Sequence, residues 1–218
     1  MPRPGLGAHT VDHSYRKSSA MKILLVGASG TLGRAIAQTL SHHEVLAASR
    51  GSAEYPVDIT DDASVAALLR KTGKVDAIVS AAGVLHFGPL PQMSPAQFAI
   101  GLNDKLLGQV RLALLGQHAL NDGGSITLTT GIVADEPIRA GANASAVNRA
   151  LEGFVQGAAF ELQRGVRINA VSPSVLAESW SDYGAFFPGF EPVTAARAAL
   201  AYQRSVEGVQ SGRVYRVW

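Results

Sequence analysis

The sequence predicts an α/β fold: one domain built on a doubly wound, mostly parallel sheet of seven strands with helices on both faces. Three observations lead there. Short apolar runs alternate with amphipathic stretches along the chain after residue 21. A glycine-rich turn joins the first apolar run to the first helical stretch. The chain has 218 residues, 47% hydrophobic and 17% charged, which suits one ordinary core and not a disordered segment.

The run Lys22–Val26 is apolar and unalternated, as a strand buried on both faces should be. Gly27 ends it. A helix is predicted over residues 31–41, with Leu32, Ile36 and Leu40 on one stripe. Residues 44–49 and 55–58 read as the second and third strands. Asp61 is placed as the N-cap of a helix with Val65, Leu68 and Leu69 inside and Gly73 at its end. Residues 75–80 form the fourth strand. Ser94-Pro95-Ala96-Gln97 is a capping box with proline at the first helical position. That helix runs to about residue 120 with one break near Gly101. A turn over 121–124 leads to a fifth strand at 125–130. A long helix of small residues covers 142–163, and a sixth strand covers 166–171. Residues 172–191 show no periodicity. A last helix at 193–207 and a last strand at 213–217 complete the chain. Right-handed crossovers leave few topologies for such an order.

Composition narrows the function classes. The net charge is +2, and the first 20 residues carry it, with Arg3, Arg16 and Lys17 against Asp12. The remainder is neutral and has no basic cluster or aromatic platform, so a nucleic-acid partner is not expected. Residues 1–20 are polar, without an apolar signal-peptide core, and read as a flexible extension before a domain at 21–218. Cysteine is absent, which removes disulfides and thiolate chemistry and fits a cytoplasmic enzyme. No apolar run approaches the roughly 18 residues a membrane helix needs. No His, Asp or Glu grouping has metal-ligand spacing along the chain.

The turn is Gly27-Ala28-Ser29-Gly30-Thr31-Leu32-Gly33. Gly27 permits the sharp bend, Gly30 admits a pyrophosphate to the backbone, and Gly33 lets the helix lie close to the sheet. Free N–H groups at the helix start face the anion. A Rossmann-type dinucleotide site is the expectation. An NAD site wants an acid at the end of the second strand; here Ser49 and Arg50 stand there, and Glu44 is at the opposite end. A guanidinium fork suits a 2′-phosphate, so NADP(H) is expected in preference to NAD(H).

Further segments resemble the short-chain dehydrogenase/reductase family. Asp58-Ile59 is similar to the pair that contacts adenine there, and Ala81-Ala82-Gly83 to the segment after the fourth strand, with alanine replacing asparagine. Residues 166–173 resemble the family's sixth strand, ending in Pro173 beside the nicotinamide, and residues 150–154 its catalytic helix. The glycine spacing is G-x-x-G-x-x-G, as in divergent members. The resemblance implies an NAD(P)-dependent oxidoreductase acting on a small molecule. It also places the catalytic tyrosine at Ala144 and the catalytic lysine at Asn148, so the usual proton apparatus is absent. The serine position falls at Thr130 or Gly131, and Lys105 fills the asparagine position.

Lys105 and Thr130 are therefore the catalytic candidates, Lys105 for a developing oxyanion and Thr130 for orienting substrate. Hydride transfer to a conjugated carbonyl, quinone or flavin-like acceptor survives such losses, because the charge delocalises. The alternative is an NADP(H)-binding pseudoenzyme, a redox sensor or partner-binding subunit. His86 lies near the expected nicotinamide side. Residues 172–191 are the expected substrate loop, with Trp180, Tyr183, Phe186, Phe187 and Phe190 reaching a pocket or covering it. In related proteins the helices near 102–120 and 142–163 pair between subunits, so a homo-oligomer is expected.

Overall fold

The computed structural model describes residues 20–218, so the extension expected over 1–20 lies, Ala20 apart, outside the described residues. Seven strands form one sheet: β1 (Lys22–Val26), β2 (Glu44–Ser49), β3 (Tyr55–Pro56), β4 (Val75–Ser80), β5 (Leu120–Thr129), β6 (Arg167–Pro173) and β7 (Val214–Val217). Their order is β3-β2-β1-β4-β5-β6-β7, and every pair is parallel. The chain winds outward one way from β1 through β3, then crosses back to β4 and continues the other way. The crevice between β1 and β4 is the switch point where such sheets take ligands.

Strand β1 shows why both faces must be covered. Leu24 and Val26 join a core with Val65 and Leu68 of α2 (Asp62–Thr72), Leu112 of α4 (Leu107–Gly116) and Leu151 of α5 (Ala142–Ala158). Ile23 and Leu25 point the other way, onto Ile36 of α1 (Thr31–Thr39) and Ala199, Tyr202 and Val206 of α7 (Ala195–Glu207). Alternate side chains of one strand thus serve two cores.

Local signals set several boundaries. Asp61 caps α2 by accepting the Ala63 N–H at 3.0 Å, and Gly73 ends it at φ +65°. Ser94 and Gln97 close the capping box of α3 (Pro95–Gly101) in both directions, at 3.2 and 2.8 Å. The break near Gly101 is a π-helical turn, Leu102–Leu106, between α3 and α4.

Several expectations are corrected. Strand β5 begins at Leu120, and the turn expected at 121–124 is carried inside it. The register with β4 shifts between Val75 and Ala77, and Gly123 takes φ +75°. Helix α4 stops at Gly116 and α5 at Ala158, both short of the predicted ends. Helix α7 starts two residues late, because Thr194 caps it by accepting the Arg197 N–H at 3.1 Å, while Val193 bridges to Leu176. The aperiodic 172–191 segment contains a four-residue helix, α6 (Trp180–Tyr183).

Candidate active site

A cleft of about 240 Å³ lies at the carboxyl ends of the strands flanking the switch point. Its floor is the glycine turn, with Gly27, Ser29 and Gly30. Ser49, Arg50 and Gly51 form the wall at the end of β2, and Asp58 and Ile59 continue it. Ala81, Ala82, Gly83, Val84 and Asp104 close the opposite side. Ten residues read from the sequence as one site thus share one cleft. Thr31, Leu32 and Gly33 sit in the first turn of α1, and Pro173 is buried at the end of β6; none of these four lines the cleft.

Each glycine of the turn has a separate steric reason. Gly27 takes φ +88°, and a Cβ there would meet the Ala81 carbonyl at 2.6 Å. A Cβ on Gly33 would fall 2.1 Å from the Gly27 oxygen, so α1 packs directly on the turn. Gly30 lines the cleft and meets nothing nearer than 3.5 Å, leaving space that a side chain would fill. Gly30 is also the N-cap of α1 without a side-chain cap, so the helix-start N–H groups remain available to an anion. Glu44 pairs with Lys22 at the opposite strand ends, away from the cleft.

A second cavity of about 380 Å³ adjoins the first and shares Gly83 and Val84 with it. Leu85, Phe87, Val175, Leu176 and Phe187 make it apolar; Ser179 and Tyr183 add hydroxyls; Lys105 adds the one charge. Of the five aromatics expected from the 172–191 segment, Tyr183 and Phe187 line this cavity. Phe186 packs behind on Phe87 with ring centroids 5.3 Å apart, and Phe190 meets Phe187 edge-on at 5.5 Å. Trp180 stands outside, against Gly184. His86 lines neither cavity; its backbone N–H donates to Asn143 Oδ1 at 3.0 Å.

Lys105 projects from the π turn and is buried, only 7% exposed. Its ammonium donates to the Thr130 carbonyl at 3.1 Å. Burial lowers its pKa to about 8. Gly83 makes room for it: with φ +125°, a Cβ there would lie 2.7 Å from Cα, Cβ and Cγ of Lys105. Thr130 turns its own hydroxyl away from both cavities, 3.4 Å from Glu152 Oε1 and from the Val171 carbonyl. Glu152 is buried, its pKa raised chiefly by that burial, and its other oxygen accepts from Arg149 at 3.1 Å.

A profile of the family described as "Enoyl-(Acyl carrier protein) reductase" matches residues 26–214. The chain belongs to the short-chain dehydrogenase/reductase family. Among curated relatives, "Oxidoreductase UcpA" of Escherichia coli K12 is 27% identical over 183 residues, covering 72% of this chain and 70% of that one. "Retinol dehydrogenase 8" of Bos taurus is 28% identical and covers 86% of this chain, which spans 60% of that protein's length. The crystal structure of protein lin1944 from Listeria innocua is 50% identical, with TM-score 0.89 over 91% of this chain and 100% of that one. A small-chain dehydrogenase solved in complex with NADPH is 25% identical, with TM-score 0.81 over 91% and 97%.

The positions where the resemblance places the short-chain dehydrogenase/reductase catalytic groups meet beneath the second cavity. Ala144 is fully buried among Ile132, Val133, Val175 and Phe187. Asn148 is buried in the second turn of α5, and its Oδ1 finds no hydrogen-bond partner among the described residues. A Cβ on Gly131 would lie 3.3 Å from Asn148 Nδ2. One residue that sequence reasoning missed is Asn143. Its Oδ1 takes the His86 N–H and its Nδ2 donates to the Phe98 carbonyl at 2.6 Å, tying the 83–88 loop to α3. No spacing rule signals this, because its partners are 57 and 45 residues away.

Metal-ligand spacing is absent along the chain, yet the fold brings His42, His43 and Glu207 together, their ligand atoms within 4.8 Å. The hydrogen bonds argue for a clasp. His43 Nδ1 accepts the Met21 N–H at 3.2 Å, so the neutral ring carries its proton on Nε2 and donates it to Glu207. A metal beside Glu207 would need a lone pair on Nε2, where this tautomer carries its hydrogen. Among the described residues no helix is long and apolar enough to cross a membrane.

Proposed function

We propose that this short-chain dehydrogenase/reductase is an NADP(H)-dependent oxidoreductase that acts on a conjugated carbonyl, quinone or flavin-like acceptor. The observation that carries the reading is the pair of joined cavities: a glycine-floored cleft walled by Arg50, opening onto an apolar chamber whose one charged group is Lys105. The small-chain dehydrogenase solved in complex with NADPH supports the cofactor class. The wall at the end of β2 carries Ser49, Arg50 and Gly51 and no carboxylate, which supports the 2′-phosphate form.

Bound in the cleft, the cofactor would supply a hydride to an acceptor held in the chamber. The chain's residues do the rest. The glycine turn and the first turn of α1 hold the pyrophosphate. Ser49 and Arg50 hold the ribose phosphate, and Asp58 and Ile59 border the adenine. Leu85, Phe87, Val175 and Phe187 exclude water and seat an apolar ring. Lys105 presents its ammonium to the acceptor oxygen and, with a pKa near 8, releases a proton at Nζ readily. Thr130 fixes the ammonium through its carbonyl. No tyrosine is needed where the acceptor delocalises its charge. A homo-oligomer through α4 and α5 completes the proposal, as does a cytoplasmic setting.

The test is NADPH oxidation, followed by absorbance, with a panel of quinones, flavins and enones. We expect turnover with at least one, lost in Lys105→Met. Tight NADPH binding without turnover on any acceptor would leave the pseudoenzyme reading standing. Binding of NADH in preference to NADPH would overturn the role of Arg50.

A further inference from the structure

We infer that the second cavity is built for a compact apolar organic anion, a ring compound bearing a carboxylate or an ionised enol, with Lys105 as its counterion. The inference deepens the proposed function and rests on it only for calling this chamber the acceptor site.

The argument starts from what surrounds the ammonium. Lys105 carries three N–H donors and uses one of them, on the Thr130 carbonyl. No carboxylate oxygen of the described residues lies within 4.0 Å of it. Asp104, its chain neighbour, turns Oδ1 to the Val84 N–H at 2.7 Å. Glu152, beyond Thr130, is engaged by Arg149. A buried cation without a partner is costly, and proteins normally pair such a charge or shed it. This one has been accommodated: Gly83 gives up a side chain to admit it, and the π turn carries it inward.

The chamber walls select the rest of the ligand. Apart from Lys105 they present aliphatic and aromatic carbon and two hydroxyls, with no carboxylate to repel an anion. At about 380 Å³ the chamber is of the size that small-molecule sites usually have. A neutral ketone would offer the ammonium only a dipole. An anion offers a full countercharge to a buried ammonium, and charge-assisted hydrogen bonds are the strong ones. The chamber is distinct from the phosphate end of the cleft, since Lys105 does not line the cleft.

Calorimetric titration with a matched pair of probes, 2-naphthoate and its neutral isostere 2-naphthamide, tests this in wild type and in Lys105→Met. We expect naphthoate to bind wild type about tenfold tighter than the amide or better. In Lys105→Met the preference should vanish while the amide still binds. A thermal unfolding transition checks that the variant folds, and the wild-type comparison stands without it. Equal affinity for the two probes, binding of neither at millimolar concentration, or a preference that persists in Lys105→Met would overturn the inference. NADPH binding, read separately by fluorescence, distinguishes this failure from a failure of the proposed function: loss of cofactor binding would sink the latter and leave the probe preference to be judged alone.

Discussion

Lys105 sets stability against function at the scale of one residue. Its folded pKa of about 8 lies below the ordinary 10.5, so between those values the unfolded chain binds more protons than the folded one. Stability therefore rises with pH across that window, and below pH 8 the whole burial penalty is present, at most about 3 kcal/mol. Lys105→Met should stabilise the protein at pH 7 by up to that amount, with the gain shrinking towards zero as pH approaches 10.5. Urea unfolding of both proteins at pH 7 and pH 10 measures this; an equal difference at both pH values would contradict it. The same substitution should abolish turnover. The sequence marked Lys105 because it fills an unexpected position, and the glycines of the turn because their spacing maps directly onto local backbone geometry. It could not show that Thr130 meets Lys105 through its carbonyl and hides its hydroxyl, because side-chain direction at the end of β5 is fixed by what packs there, Glu152 and Val171.

The element that joins site to scaffold is the helix interrupted at Leu102–Leu106. A π turn inserts one residue into the helical ladder and turns the following side chains. The break was legible from Gly101, but its cause was not. Gly101 is helical, and it is glycine because a Cβ would lie 2.2 Å from Asn143 Oδ1. Asn143 is thus the pin between α5, α3 and the 83–88 loop. Asn143→Ala would leave a half-buried N–H and a half-buried carbonyl without partners, at about 1–2 kcal/mol. We expect a lowered denaturation midpoint together with weaker binding of both NADPH and naphthoate, since the loosened loop lines both cavities. A variant with unchanged affinities would show that the pin serves the fold alone.

At the scale of the whole molecule, strand and helix order were readable because each element buries a periodic stripe of its own. The exceptions are places where distant chain decides. Residues 121–124 look like a turn, yet β4 holds both ends of the segment in one strand. His42, His43 and Glu207 meet only because α1 and α7 share a face of the sheet. An apolar groove of about 350 Å³ runs between α4 and α5, lined by half-exposed Leu114 with Phe154 and Leu162, while Leu107 of α4 is also about half exposed and Phe160, just beyond α5, is 92% exposed. Such a face is expected to be covered by a second copy. Light scattering should give at least a dimer, and Leu114→Asp with Phe160→Asp should give a folded monomer; a monomeric wild type would refute the expectation.

Gly83 lines both cavities with backbone alone, and it lacks a side chain because Lys105 occupies that space. A lining common to both cavities leaves the two occupants in mutual reach. Their binding free energies are then expected to be coupled rather than additive. By thermodynamic reciprocity, whatever factor a filled chamber applies to the nucleotide's affinity, the nucleotide applies to the chamber's guest. The size of that factor is thus tied to a glycine that lines both cavities and offers neither a side chain.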